Sequence, residues 1–205
     1  AGVATRYLYA PEYLAERSSA LPFPFHLIIG DKFGGSMDEA AFITWVNLRN
    51  IFSDLGRVFN IDFESYTLEL GGEERISIEE ASKDLEYILE YLSHKGLTRN
   101  SETKPEYKII KCNKKDYKSY FAKQAGLYDF IAKPGQLIKK GDLLAIGINF
   151  ENYFSEESIK YEVLANEDCI VLTHYPVAVL CKVLKSIKLW KSFINLCIDF
   201  TQIIS

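Results

Sequence analysis

Hydrophobic positions change rhythm along this chain. In the first hundred residues, short apolar runs alternate with stretches whose apolar residues recur every three or four positions; after Pro105 the pattern becomes short strand-like runs punctuated by Gly and Asn. Phe25-His26-Leu27-Ile28-Ile29-Gly30 is a continuous apolar run closed by glycine and predicts a buried strand. Ser36-Met37-Asp38-Glu39 is a capping box, in which a hydroxyl and a carboxylate satisfy amide donors at a helix start, so a helix is expected from Met37 to Leu55. Ala41, Trp45, Leu48 and Phe52 recur along it at helical spacing and mark the expected buried face, and Gly56 is placed to end it. Tyr66 to Leu70, ahead of Gly71-Gly72, predicts a second strand with Glu69 between two leucines. A second capping box, Ser77-Ile78-Glu79-Glu80, opens a helix with an expected buried stripe of Leu85, Ile88, Leu89 and Leu92; His94-Lys95-Gly96 supplies its stop.

Thr98 to Pro105 is polar and charged and serves as the expected linker. Beyond it, Tyr107–Lys111, Gly126–Ala132, Leu143–Ile148, Ile159–Ala165 and Cys169–Thr173 predict a small β domain. The final stretch, Val177 to Ser205, is apolar except for Lys182, Lys185, Lys188 and Lys191 at its centre, lysines that a membrane span would tolerate poorly. It is expected to be a docked amphipathic helix, with contact to a membrane surface as the sharper alternative.

Composition narrows the class. The chain has 205 residues, 48% of them apolar and 25% charged, enough for one or two buried cores, and ordinary Gly and Pro numbers exclude fibrous and low-complexity chains. A formal charge of -4 argues against a sequence-independent nucleic-acid binder. The cysteines, at 112, 169, 181 and 197, form no CxxC pair and are expected reduced, in the cytoplasm. The three histidines are isolated, and none opens an HxxE or HExxH pattern, so no metal ligand is expected within the chain.

Few residues remain as candidates for chemistry. Glu69, at the end of a buried strand beside a glycine pair, can shuttle protons if its surroundings favour it; the alternative is a strand-end carboxylate turned to solvent or paired with Arg75. The Gly34-Gly35 loop could cradle an anion, but Asp38 and Glu39 oppose one, which favours a plain tight turn. His26 is expected to be a satisfied core histidine and Cys112 an unreactive thiol. The basic and aromatic stretch Lys104 to Lys123 is expected to be a solvated face.

Two segments together resemble the succinylglutamate desuccinylase/aspartoacylase family of carboxypeptidase-like zinc deacylases. One is Tyr66-Thr67-Leu68-Glu69-Leu70-Gly71-Gly72 with the helix that reaches Tyr91-Leu92-Ser93-His94-Lys95-Gly96-Leu97. The other is the turn-rich Ala132-Lys133-Pro134-Gly135-Gln136-Leu137-Ile138-Lys139-Lys140-Gly141-Asp142-Leu143-Leu144-Ala145-Ile146, similar to the hairpins of biotinyl and lipoyl carriers. The resemblance spans about Ala1 to Leu180 and implies an α/β fold: part of a mixed-sheet zinc-carboxypeptidase-like core at residues 1–100, a small barrel-sandwich-like β domain at 101–180, and a helical tail at 181–205. It implies Glu69 as the catalytic base, zinc as the cofactor and a small acylated molecule as substrate. The family's zinc ligands, an early His-x-x-Glu pair and a later His, have no counterpart in the chain. They are expected in an N-terminal part of the core upstream of Ala1, which would complete the enzyme. A carrier role is disfavoured because the hairpin Ala165-Asn166-Glu167-Asp168-Cys169 has no lysine at its tip. The competing expectation is a non-catalytic module that binds a partner protein.

Overall fold

The computed structural model describes residues 3–30, 36–72, 76–99, 107–120, 126–149, 159–174, 179–180 and 194–197. The chain divides into two compact units: an α/β unit of Arg6–Glu69 and Ser77–Lys114, and a β unit of Ala1–Thr5, Leu70–Ile76 and Lys115–Ser205. The first strand, β1 (Val3–Ala4), belongs to the β unit.

In the α/β unit, β2 (Arg6–Pro11), β3 (Phe25–Ile29), β4 (Thr67–Leu70) and β5 (Ile110–Asn113) form one sheet in the order β4-β2-β3-β5. β3 runs parallel to both β2 and β5. The apolar run at residues 25–29 is thus a central strand buried on both faces, as its continuous hydrophobicity predicts. Part of the run expected in the β domain, Tyr107–Lys111, instead leads into this sheet as β5, parallel to β3.

The helix expected over Met37–Leu55 forms as two pieces, α1 (Met37–Ala40) and α2 (Ile43–Asp54). Its capping box is present, with Glu39 N donating to Ser36 Oγ at 3.2 Å. The backbone leaves helical geometry at Phe42 (φ -126°), whose ring is only 1% exposed. Phe42 and Val46 are the buried pair, whereas Ala41 and Trp45 are exposed, so the inward face lies one position further along than expected.

The second helix, α3 (Ile78–His94), also starts at its predicted cap, Glu80 N donating to Ser77 Oγ at 3.3 Å. Gly56 and Gly96 adopt positive φ (64° and 72°) just past the ends of α2 and α3. The expected leucine stripe of α3 is corrected: Leu85 and Leu89 are exposed, and Asp84, Tyr87 and Tyr91 face the sheet. There the aromatic rings close the layer, with Tyr87 against Phe23 (centroids 5.1 Å) and Tyr91 against Tyr66 (6.0 Å), around a core of Leu8, Ala10, Leu21, Phe23 and Ile28.

The β unit holds β6 (Tyr117–Tyr120), β7 (Gly126–Phe130), β8 (Leu137–Ile138), β9 (Leu143–Ile148), β10 (Lys160–Leu164), β11 (Cys169–His174), β12 (Val179–Leu180) and β13 (Ile194–Cys197). They form two antiparallel sheets, β1-β11-β13-β6 with β8 also on β11, and β10-β9-β7-β12. Tyr128, Ile138, Leu144, Cys169 and Val171 are among its core residues. Within the stretch expected to be a helical tail, Ile194–Cys197 is a strand paired with β6 and β11; the lysines at 182–191 lie outside the described residues. Among the described residues, no helix is long and apolar enough to cross a membrane.

Candidate functional site

The side chains of a strand alternate between the two faces of a sheet, and that rule places Glu69. Leu8 and Ala10 of β2 and Leu68 of β4 belong to the core beneath α3, together with Tyr66, which precedes β4. Tyr7, Tyr9, Thr67 and Glu69 therefore project from the opposite face. β4 lies beside β2, so Glu69 shares that face with the two tyrosines. Glu69 is partly buried. The alternative of a carboxylate standing in open solvent does not describe it; Arg75, its other suggested partner, lies outside the described residues.

The tyrosine pair is ordered. Tyr7 is 4% exposed, the two hydroxyl oxygens are 3.3 Å apart, and the rings meet edge to face at 5.4 Å. Burial raises the Tyr9 pKa above that of a free phenol; the hydrogen bond with Tyr7 opposes this, and the negative charges of Glu69 and Asp38 add to it. Tyr9 therefore stays a protonated donor at neutral pH, with two carboxylates acting on its hydroxyl. Asp38 reaches this neighbourhood from the first turn of α1.

Other predicted residues serve different purposes. Arg6 lies on the α3 side of β2, where Nε and Nη2 donate to the two Asp84 carboxylate oxygens at 3.0 and 3.3 Å and Nη2 reaches Glu80 at 3.2 Å. It is occupied in joining β2 to α3 and is not brought to Glu69. His26 is the satisfied core histidine expected: it is 1% exposed, its Nε2 donates to Leu21 O at 3.0 Å, and Nδ1 lies 3.0 Å from Ser18 Oγ. Cys112 is 5% exposed and disulfide-bonded, so the expectation of reduced thiols fails there, while Cys169 is free and buried. Gly34 and Gly35 lie outside the described residues.

A second polar cluster went unread in the sequence. Glu64 accepts hydrogen bonds from Tyr66 OH (3.1 Å), Tyr91 OH (2.7 Å) and Lys95 Nζ, with Arg17 Nη1 at 3.8 Å. Burial works against its charge, but the donors from Lys95 and Tyr91 hold its carboxyl below the usual range. It anchors the entry to β4 onto the end of α3. At the tip of the β-unit hairpin, Asp168 accepts from Lys139 Nζ and from the Lys140 amide, each at 2.8 Å, so that turn is closed by an internal ion pair. Among the described residues, no group of three or more His, Cys, Asp and Glu side chains is placed to hold a metal ion.

Solved structures match this chain over nearly its whole length. A protein from Shewanella frigidimarina NCIMB 400, named for succinylglutamate desuccinylase/aspartoacylase, superposes with a TM-score of 0.83 at 29% identity, covering 97% of this chain and 51% of its own. A protein of the same family name from Shewanella amazonensis SB2B gives 0.80 at 31%, covering 96% and 52%. The chain resembles the succinylglutamate desuccinylase/aspartoacylase family. It spans about half the length of these family members. The product-bound ectoine utilization protein EutE (DoeB) from Ruegeria pomeroyi shares the fold, with a TM-score of 0.62 at 15% identity over 96% of this chain and 53% of its own. No family model and no curated protein matches the sequence.

Proposed function

We propose that this chain is part of a deacylase-type hydrolase that cleaves an amide or ester bond of a small N-acylated amino acid, with Glu69 as its general base. The observation that carries the proposal is that Glu69 is partly buried and shares a sheet face with two hydrogen-bonded phenols, in the Glu69-Leu70-Gly71-Gly72 segment on which the sequence resemblance rests. A carboxylate so placed can take a proton from an attacking water and return it to the departing amine nitrogen. In this reading the α/β unit supplies part of a zinc-carboxypeptidase-like core and the β unit an appended barrel-sandwich-like domain. The zinc that the resemblance implies finds no fitting ligand set among the described residues. We assign its ligands to the part of the family fold that this chain does not span.

The test is Glu69→Gln in the intact protein, which keeps shape and removes the base. Turnover of an N-acyl amino acid should fall by about 10²-fold or more with zinc content unchanged. Wild-type turnover in that variant would refute the assignment.

A further inference from the structure

We propose that Glu64 is a positioning residue for Glu69: its carboxylate clamps the entry of β4 to the end of α3, and so fixes where the strand presents the base further along the same segment. The inference rests on the reading of Glu69 as that base and concerns what holds its strand.

Three observations lead to the clamp. First, β4 holds itself weakly. It is 4 residues long, none of them is fully buried, and among the described residues it stands at the end of its sheet with a ladder to β2 alone. Second, the chain just before it is held from another element. Glu64 takes the two phenols on one oxygen, Oε2, with Tyr91 OH at 2.7 Å and Tyr66 OH at 3.1 Å, and the cations of Lys95 and Arg17 on the other, Oε1. Tyr91 lies in the last turn of α3 and Lys95 just beyond it, so these bonds cross from one element to another. The Glu64 side chain is only 18% exposed, and charge-assisted bonds shielded from water restrict geometry more than surface pairs do. The Tyr66 and Tyr91 rings meet edge to face, and Lys95 Nζ lies 5.4 Å over the Tyr91 ring, which leaves the cluster few other arrangements. Third, the link from clamp to base is the backbone. Only Ser65 and Tyr66 separate Glu64 from β4, and Tyr66 and Leu68 pack on one core while Glu69 alternates to the other face. An extended strand passes a displacement at its start along to its end, and a misplacement of about 1 Å can cost about 10²-fold in rate.

The experiment compares Glu64→Gln, Tyr91→Phe, Tyr66→Phe and Glu69→Gln in the intact protein, measuring kcat and KM for an N-acyl amino acid against pH at a temperature well below each Tm. Glu64→Gln keeps the shape of the side chain and discards its ion pairs, so kcat should fall about tenfold with KM little changed and the acid limb of kcat in place. Tyr91→Phe cuts the tie to α3 and should lower kcat about fivefold; Tyr66→Phe cuts a bond within one segment and should lower it less than about twofold. Joining Glu64→Gln to Tyr91→Phe should cost less than the product of the two, because both open the same clamp. A merely structural cluster would lower Tm and leave kcat of the folded enzyme at the wild-type value. If Glu69→Gln is inactive while Glu64→Gln keeps wild-type kcat, the clamp is refuted and the base stands. An acid limb displaced with the kcat plateau intact would show Glu64 acting on the charge of the base rather than on its place, and would also overturn the clamp. If Glu69→Gln retains wild-type turnover, the base assignment falls, and this inference with it. Should Glu64→Gln fail to fold, the decision passes to the two tyrosines: a larger loss of kcat in Tyr91→Phe supports the clamp, and equal, reversed or absent losses overturn it.

Discussion

Acidification should unlock the α/β unit through one residue, His26. The imidazole is 1% exposed between β3 and the turn at residues 17–21, and burial, with the nearby Lys111 cation, lowers its pKa from 6.5 to about 4. Lys111 is itself held there, its Nζ donating to Ala15 O. In the unfolded chain His26 binds its proton near pH 6.5, and in the folded chain only near 4. The folded state is therefore favoured above 6.5, and that advantage is lost as pH falls through the window between the two values. Across a window of 2.5 units (6.5 minus 4) the loss is about 3 kcal/mol, of which about 2 kcal/mol should be gone by pH 5. The comparison is with His26→Gln, which keeps a polar amide without a titrating group. Urea unfolding followed by Trp45 fluorescence in a Trp190→Phe background reports on the α/β unit, where Trp45 stacks on Phe63 at 5.5 Å. The stability difference between wild type and variant should change by about 2 kcal/mol between pH 7 and pH 5. A change below about 0.5 kcal/mol would show that this histidine is protonated within the fold at little cost, and would refute the account.

Two further variants probe the packing of each unit. Asp84→Ala removes the bidentate partner of Arg6; because Arg6 keeps 18% side-chain exposure and the Glu80 contact, the expected loss is about 1–3 kcal/mol, less than for a fully buried pair, and a double-mutant cycle with Arg6→Met should return most of it as coupling. Gly147→Ala places a methyl group 2.2 Å from Cζ of the Tyr161 ring, which lies across the strand pair and donates its hydroxyl proton to Tyr128, so the ring cannot yield freely. Thermal unfolding of that variant should show a loss of about 1–3 kcal/mol, and an unchanged Tm would mean that the ring does not cover the glycine.

Element starts and stops were legible because they are local. Both Ser-x-x-Glu boxes cap helices, and Gly56 and Gly96 follow their ends in a backbone conformation that only glycine adopts without strain. The inward faces of the helices were less legible. Apolar spacing on α3 pointed to Leu85 and Leu89, but the side that meets the sheet is a polar-aromatic stripe, Glu80, Asp84, Tyr87, Tyr91 and Lys95, at positions equally helical in period. Hydrophobicity cannot identify that stripe, because its burial depends on partners far along the chain: Arg6, Phe23, Tyr66 and Glu64. The same holds for Phe42, whose turn into the core splits a helix that local propensity would have continued.

The candidate site was half legible for a related reason. Glu69 could be named from its position in one strand, but Tyr9 could be attached to it only when β2 was known to lie beside β4. Once that adjacency is given, alternation decides the rest, and electrostatics makes the decision steep. A one-residue slip of β4 would carry Glu69 to the α3 side of the sheet, the side on which Arg6 already serves the carboxylates of Asp84 and Glu80. A third negative charge there would have no cation of its own, and Leu68 would lose its place in the core. The register that buries Leu68 is therefore the register that presents Glu69 to the phenols. The physical force that selects the fold of β4 is the same one that positions the proposed base.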